Sequence, residues 1–189
     1  LITPDIKIIT NYTSRNNGKL LEIGCSNGRK LASFKGNMQA YGVDPGSEAI
    51  SSGLKENSYK LNLSVGTCDN LDFPNHYFDI VVAGFCLYLV DRDLIFKAVS
   101  EIDRVLKPGG TLIITDFDSP IATKRPYHHH EGLYSFKQQY ENLFLANPLY
   151  SLVEKKSYSH FSDEFEKNID ERVATNVLRK NFEEAYLER

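Results

Sequence analysis

The sequence has no apolar stretch approaching the length that crosses a bilayer, and it has no long basic run. A membrane-spanning helix needs about 20 predominantly apolar residues, so we expect no membrane insertion. The net charge of −3 gives no sign of a nucleic-acid footprint, so we expect no nucleic-acid partner. The first residues lack the basic-then-apolar pattern of a signal peptide, which favours a cytoplasmic protein. They also lack an initiator methionine, which is consistent with a native chain that extends before Leu1.

Cysteine is also scarce. The three cysteines, Cys25, Cys68 and Cys86, are an odd number and include no Cys-x-x-Cys pair. This spacing argues against a disulfide framework and against a zinc knuckle. It favours reduced thiols that fill space in a cytoplasmic enzyme, and we expect no metal site.

A regular alternation of strand and helix patterns runs along most of the chain. Its 189 residues, 41% of them hydrophobic and 25% charged, suit a single domain with a substantial core. We predict strands at 19–23, 39–43, 59–65, 78–84 and 111–115, helices at 29–34, 47–55, 91–106 and 132–145, and two final extended segments at 149–160 and 171–180. Such alternation predicts a parallel sheet covered on both faces, and the final segments predict an antiparallel closing pair. The predicted fold class is α/β, a Rossmann-like, doubly wound, seven-stranded, mostly parallel sheet with an antiparallel last strand.

A glycine-bearing turn follows the first predicted strand, at Gly24 to Gly28, and Asp44 ends the next strand. In such a turn the main-chain N–H groups approach a ligand closely, and a carboxylate about 20 residues on reaches a ribose. The dinucleotide fingerprint has a third glycine five positions after the first, where this chain has Arg29. Arg29 therefore argues against a nicotinamide dehydrogenase. The turn is also not followed by the lysine of a Walker motif, which argues against a phosphate-binding loop. The pattern predicts a nucleotide-like cofactor of another kind.

Four sequence blocks identify that kind by resemblance. Residues 21–28, residues 42–44, residues 67–74 with 78–81, and residues 104–110 resemble, in order and at the proper spacing, the motifs of class I S-adenosylmethionine-dependent methyltransferases. The small type 11-like methyltransferase domain is the nearest form. The resemblance covers roughly residues 18–118 and implies S-adenosyl-L-methionine as the cofactor.

The resemblance also assigns cofactor-binding residues. Gly24 and Gly28 would let the main chain approach the methionine part, Glu22 would face its ammonium, and Asp44 would face the ribose hydroxyls. The remaining implied cofactor residues are Cys25, Ser26, Pro45, Thr67, Cys68, Asp69 and Phe85. Two of these depart from the family pattern. Ser26 replaces a glycine, and the turn accepts this serine if its backbone angle is ordinary. Thr67 replaces an aspartate, but the threonine hydroxyl can still accept a hydrogen bond from the adenine amine. For the thiol of Cys25, packing is the better explanation.

Candidate acceptor-binding residues follow the fourth and fifth strands and continue into a loop dense in Tyr, His, Lys and Arg. They are Tyr88, Asp116, Tyr127, Tyr134, Lys137 and Tyr140. His128 and His129 are the candidate bases for an acceptor that must lose a proton. A solvated or lid-forming loop is the alternative interpretation. Consecutive histidines cannot all point one way, so the run does not predict a metal site.

These observations predict one domain over residues 1–189, with a cofactor-binding core at 18–118, a substrate-side insertion at 119–148 and a closing strand pair at 149–180. The predicted function is methyl transfer from S-adenosylmethionine to a small molecule or saccharide by direct in-line displacement. The saccharide hint comes only from a resemblance of residues 125–180 to small bacterial methyltransferases. The alternative is a catalytically weak or inactive S-adenosylmethionine-binding module that acts through a partner protein. The acceptor atom and the oligomeric state stay open.

Overall fold

The computed structural model describes residues 3–56, 60–128 and 131–181. The strands are β1 (Lys19–Ile23), β2 (Gln39–Asp44), β3 (Asn62–Val65), β4 (Phe78–Gly84), β5 (Leu106–Phe117), β6 (Thr123–Pro126), β7 (Tyr134–Lys137), β8 (Tyr150–Ser159) and β9 (Arg172–Lys180). The helices are α1 (Pro4–Thr13), α2 (Arg29–Phe34), α3 (Ser47–Lys55), α4 (Ile95–Val105) and α5 (Glu141–Leu145). None of the helices in these ranges is long and apolar enough to span a membrane.

Seven strands form the main sheet, in the order β3-β2-β1-β4-β5-β9-β8. Strands β1 to β5 are parallel, and β9 runs antiparallel to both of its neighbours, β5 and β8. The predicted fold class and the antiparallel closing pair are therefore confirmed. The strand order changes direction between β1 and β4, and ligands of open α/β sheets bind at such a switch point, beyond the carboxyl ends of the strands.

Alternate residues of the central strands pack on opposite faces of the sheet. Leu21 and Val81 belong to the hydrophobic cluster that also holds buried residues of α4 and α5, whereas Leu20 and Ile80 belong to the cluster that holds buried residues of α1 and α2. Both faces of β4 are thus covered, which explains its continuous apolar sequence. The burial of the sheet fixes the strand ends that carry the site.

The predicted helix at 132–145 is wrong over its first half. Residues Tyr134–Lys137 form β7, which pairs antiparallel with β6, and only Glu141–Leu145 is helical. Gly132 has φ +82°, a left-handed conformation that does not continue a right-handed helix. The insertion is therefore a two-stranded hairpin followed by a short helix.

Candidate cofactor and acceptor sites

The turn after β1 depends on two glycines. Gly24 and Gly28 both have φ +79°, and a Cβ atom on Gly24 would lie 2.9 Å from Cys86 Cβ. The Gly24 N–H donates to the carbonyl oxygen of Val43 over 2.9 Å. These contacts hold the turn at the junction of β1, β2 and the segment after β4, where a side chain at Gly24 would not fit.

Ser26, which lies between these two glycines, also has a left-handed backbone conformation, with φ +50°. The condition under which the turn would accept Ser26 without cost, an ordinary backbone angle, is therefore not met. A non-glycine residue in this region is strained by about 1–2 kcal/mol. The Ser26 N–H donates to Asp44 Oδ2 over 2.8 Å, so the strained residue links the turn to the end of β2.

The Asp44 carboxylate lies beside the turn and is held there by main-chain N–H groups. Besides the bond from Ser26, its Oδ1 accepts from the Gly46 N–H over 2.8 Å. A carboxylate offers about four lone-pair sites, so each oxygen keeps acceptor capacity for a ligand. Pro45 is exposed at the same strand end. This arrangement suits a pair of hydroxyl groups.

A cavity of about 240 Å³ opens beside the turn and the end of β2. Its lining includes Gly24, Pro45, Thr67, Cys68 and Asp69 together with the apolar residues Ile23, Val43, Leu89, Val90 and Leu94. The pKa of Asp69 is lowered, mainly by a hydrogen bond from the Thr67 side chain. Because the Thr67 hydroxyl donates to Asp69, its oxygen lone pairs are left to accept from a ligand. The cavity is mostly apolar with a polar edge, as a flat base requires.

Glu22 is a buried acceptor in need of a partner. Its side chain is 1% exposed, and Oε2 has no hydrogen-bond partner among the described residues. Burial raises the pKa of Glu22 to about 7, although Lys30 lowers it. The Lys30 Nζ itself lies 2.6 Å from Asp5 Oδ2, and the charge of Lys30 is therefore shared. A cationic group next to Glu22 would compensate the remaining charge, so the site fits an ammonium.

Cys25 packs rather than lines the cavity. A Cβ atom on Gly42 would lie 2.7 Å from Cys25 Sγ, and burial raises the pKa of the Cys25 thiol to about 12. The thiol is therefore a neutral space-filling group.

A second cavity, of about 370 Å³, lies beyond the ends of β4 and β5. Five predicted residues line it: Phe85, Tyr88, Tyr127, His128 and Lys137. The Phe85 backbone has φ +49°, and its ring centroid lies 5.4 Å from that of His160. A strained residue of this kind is common at functional sites. His129 lies outside the described residues.

The structure corrects the predicted role of Asp116. The carboxylate is 2% exposed and accepts from the N–H groups of Leu87 (3.1 Å), Tyr88 (3.3 Å) and Phe117 (2.8 Å). Burial raises its pKa to about 7 in spite of these bonds. Asp116 therefore holds the segment after β4 in place and does not line this second cavity.

Two predicted tyrosines also lie away from the cavity lining. Tyr140 is 1% exposed; its hydroxyl donates to the Phe136 carbonyl oxygen over 2.6 Å and accepts from Arg92 Nη1 over 3.2 Å. Tyr134 is exposed on β7, where Lys124 Nζ lies 3.9 Å from its ring centroid. Burial in the core and an outward position explain why neither contacts this cavity.

The sequence of the strands and turns that form the first cavity also matches a known protein family. Residues 21–114 match the model of the methyltransferase domain family. The chain belongs to the class I S-adenosylmethionine-dependent methyltransferases.

Curated relatives of this chain match only in part. The ubiquinone/menaquinone biosynthesis C-methyltransferase UbiE of Vibrio campbellii is 46% identical over 54 residues, which are 28% of this chain and 20% of the relative. The same enzyme of Geotalea daltonii is 28% identical over 124 residues, 59% of this chain and 52% of the relative. The chain therefore spans between about a fifth and a half of the length of these relatives.

Solved structures share the fold of this chain. A Burkholderia thailandensis 1,6-didemethyltoxoflavin-N1-methyltransferase, solved with 1,6-didemethyltoxoflavin and S-adenosylhomocysteine, has a TM-score of 0.73 at 15% identity over 94% of this chain and 79% of its own. A SAM-dependent methyltransferase from Methanosarcina mazei has a TM-score of 0.73 at 20% identity over 93% of this chain and 98% of its own.

Several residues that line the two cavities were not predicted from the sequence. Phe117, Arg125, Ser135, His160 and Glu171 line the second cavity, and Cys86 lines the first. Phe117 and Cys86 directly follow residues already singled out, so the strand-end rule could have found them. His160 and Glu171 sit at the facing ends of β8 and β9, which only the pairing of those strands brings to the cavity.

Proposed function

We propose that this chain binds S-adenosylmethionine in the 240 Å³ cavity and transfers its methyl group to a small molecule in the 370 Å³ cavity. One observation carries the proposal. The segment after β4 forms a shared wall, because Cys86 and Leu89 line the first cavity while Phe85 and Tyr88 line the second. The two cavities are therefore neighbours, as transfer from a donor to an acceptor requires.

In this proposal the cofactor residues keep the roles that the family resemblance implies. Glu22 faces the ammonium, Gly24 and Gly28 leave room for the methionine part, and Asp44 accepts from the ribose hydroxyls. Cys25 and Ser26 contribute main-chain contacts, Pro45, Thr67, Cys68 and Asp69 enclose the base, and Phe85 lies beside the methyl group. The apolar lining and the unpaired oxygen of Glu22 support these assignments.

Bound S-adenosylmethionine would supply an electrophilic methyl group: an electron pair of the acceptor would form the new bond to the methyl carbon in line, and the electrons of the broken carbon–sulfur bond would stay on sulfur. The chain's own residues align the acceptor and exclude water, which is most of what this reaction requires. Tyr88, Tyr127 and Lys137 line the acceptor cavity and would orient the acceptor. His128 lines it too and, with His129, remains a candidate to remove a proton from an oxygen acceptor.

The comparisons support a small-molecule acceptor, since the Burkholderia neighbour is named for a small heterocycle and the partial relatives are named for quinone biosynthesis. A saccharide remains the other candidate acceptor.

We also propose a single domain, with its core at 18–118, insertion at 119–148 and closing pair at 149–180. All three cysteines are free, which supports a reducing, cytoplasmic location.

Turnover is the test of the proposed function. Protein incubated with methyl-labelled S-adenosylmethionine and a panel of small hydroxyl, amine and carbon acceptors should transfer label to at least one acceptor. Transfer should stop when Phe85→Asp places a charge in the shared wall. Cofactor binding without transfer to any acceptor would instead favour the binding module that acts through a partner.

A further inference from the structure

The acceptor cavity has aromatic walls. The ring of Tyr88 lies 5.2 Å from that of Phe117 and 6.1 Å from that of Tyr127, with interplanar angles of 74° in both pairs. His160 stacks on Phe117 at 6.0 Å and 18°. Ring faces and edges in this arrangement favour a ring compound over a flexible chain.

Lys137 brings a cation into the same cavity from β7. Its Nζ lies 4.1 Å from the ring centroid of Phe117 and donates to the main-chain oxygen of Asp170. Within the part of the chain that the structure describes, no carboxylate oxygen lies within 4.0 Å of this Nζ. An ammonium has three donors, so Lys137 has capacity left for a ligand. Burial lowers the pKa of Lys137, because the charged form lacks full compensation.

The neighbouring charges point to a single negative charge on the ligand. Arg125 Nη2 lies 2.6 Å from Asp170 Oδ2, so these two residues compensate each other. Glu171 lines the cavity and raises the pKa of Lys137 through space. An anion at Lys137 would be attracted by its ammonium and repelled by the Glu171 carboxylate. One cation without a close partner matches a monoanion such as a carboxylate better than a doubly charged phosphate.

We propose that the methyl acceptor is a small ring compound that carries a carboxylate, with Lys137 binding the carboxylate and the aromatic walls holding the ring. This inference rests on the proposed function, since it concerns the acceptor of the same transfer. The cavity of about 370 Å³ suits one substituted ring. Aromatic acids and sugar acids share this chemistry, and the test separates them.

Calorimetry with matched pairs of probes tests the proposal. The protein, with and without S-adenosylhomocysteine, is titrated with 4-hydroxybenzoate against 4-hydroxybenzamide and with glucuronate against glucose. We expect one acid to bind about tenfold more tightly than its neutral partner, which corresponds to about 1.4 kcal/mol. This preference should weaken at high salt.

Three variants with different expected effects sharpen the test. Lys137→Gln should remove the preference for the acid, Lys137→Arg should retain it, and Glu171→Gln should increase it. Unchanged thermal midpoints would show that the variants are folded. Wild-type protein that binds neither acid, or binds the neutral partners equally well, overturns the proposal, as does a preference that survives Lys137→Gln. Failure of S-adenosylhomocysteine to bind would count against the proposed function separately, because the acids are also titrated without it.

Discussion

Some residues of the proposed cofactor site favour ligand binding at the expense of the stability of the fold. Glu22 is the clearest example. Its pKa is raised from 4.5 to about 7 by burial. The folded state therefore holds this proton more tightly than the unfolded state does, and the contribution of Glu22 to stability falls as pH rises from about 4.5 to about 7. Above that range an ionised carboxylate stays buried without a full partner.

Glu22→Gln removes this cost and should raise the free energy of unfolding at pH 8, by an amount on the order of 2 kcal/mol. At pH 4.5 the difference should nearly vanish. The same variant should bind S-adenosylmethionine at least tenfold more weakly, because the ammonium loses a charged partner. Urea unfolding at both pH values, with calorimetry at pH 8, measures the two effects. A variant that is less stable than wild type at pH 8 would contradict the interpretation of Glu22.

Ser26 is strained for a different reason, its φ of +50°. Ser26→Gly should raise the free energy of unfolding by about 0.5–1 kcal/mol, since relief of strain exceeds the added entropy of the unfolded chain. Ser14 has an ordinary φ of −63°, so Ser14→Gly should lower stability by a similar amount. Equal shifts in thermal denaturation for the two variants would show that the backbone of Ser26 is not strained.

At the scale of elements, the segment after β4 depends on a carboxylate that reaches it from β5. Asp116→Ala would leave the N–H groups of Leu87 and Tyr88 without their acceptor, at a cost of about 1–3 kcal/mol. Amide hydrogen exchange at Leu87 and Tyr88 should accelerate, and methyl transfer should fall. Asp72→Ala, at an exposed carboxylate, is the control and should leave both amides protected. Slow exchange at both amides in Asp116→Ala would refute this positioning role.

Lys155 connects three elements. Its Nζ lies 2.8 Å from Asp118 Oδ1 after β5 and 2.6 Å from Glu141 Oε1 on α5. Both carboxylate side chains are nearly buried, so Lys155→Met should lower the free energy of unfolding by about 3 kcal/mol. The exposed pair of Lys7 and Asp163 gives the control, and Lys7→Met should cost less than about 1 kcal/mol. Chemical denaturation that gave equal losses would contradict this account.

Most elements of the core were predictable from sequence, because their burial produces clear patterns. The bounds of β1, β4, α2 and α3 agree with the prediction, since each is an apolar or periodic segment bounded by turn residues. The β6–β7 hairpin was missed because its strands have four residues each, too few for alternation to stand out from a helical pattern. Its Gly132 could have marked the turn.

For the whole molecule, local sequence motifs locate the proposed cofactor residues more fully than the proposed acceptor residues. The proposed cofactor residues lie at the ends of consecutive parallel strands, where each is part of a local motif. The acceptor cavity instead combines residues from the end of β4, the hairpin and the β8–β9 pair. Contacts between such distant segments, as between Phe85 and His160, depend on strand pairing that no local pattern encodes.

The central claim is that the sheet's switch point binds S-adenosylmethionine. Isothermal titration calorimetry of the wild-type chain at pH 8 measures this directly. We expect saturable one-to-one binding of S-adenosylmethionine and S-adenosylhomocysteine, much weaker binding after Asp44→Ala, and no binding of NAD. Absence of any heat of binding with both sulfur ligands, or equal binding of NAD, would contradict it.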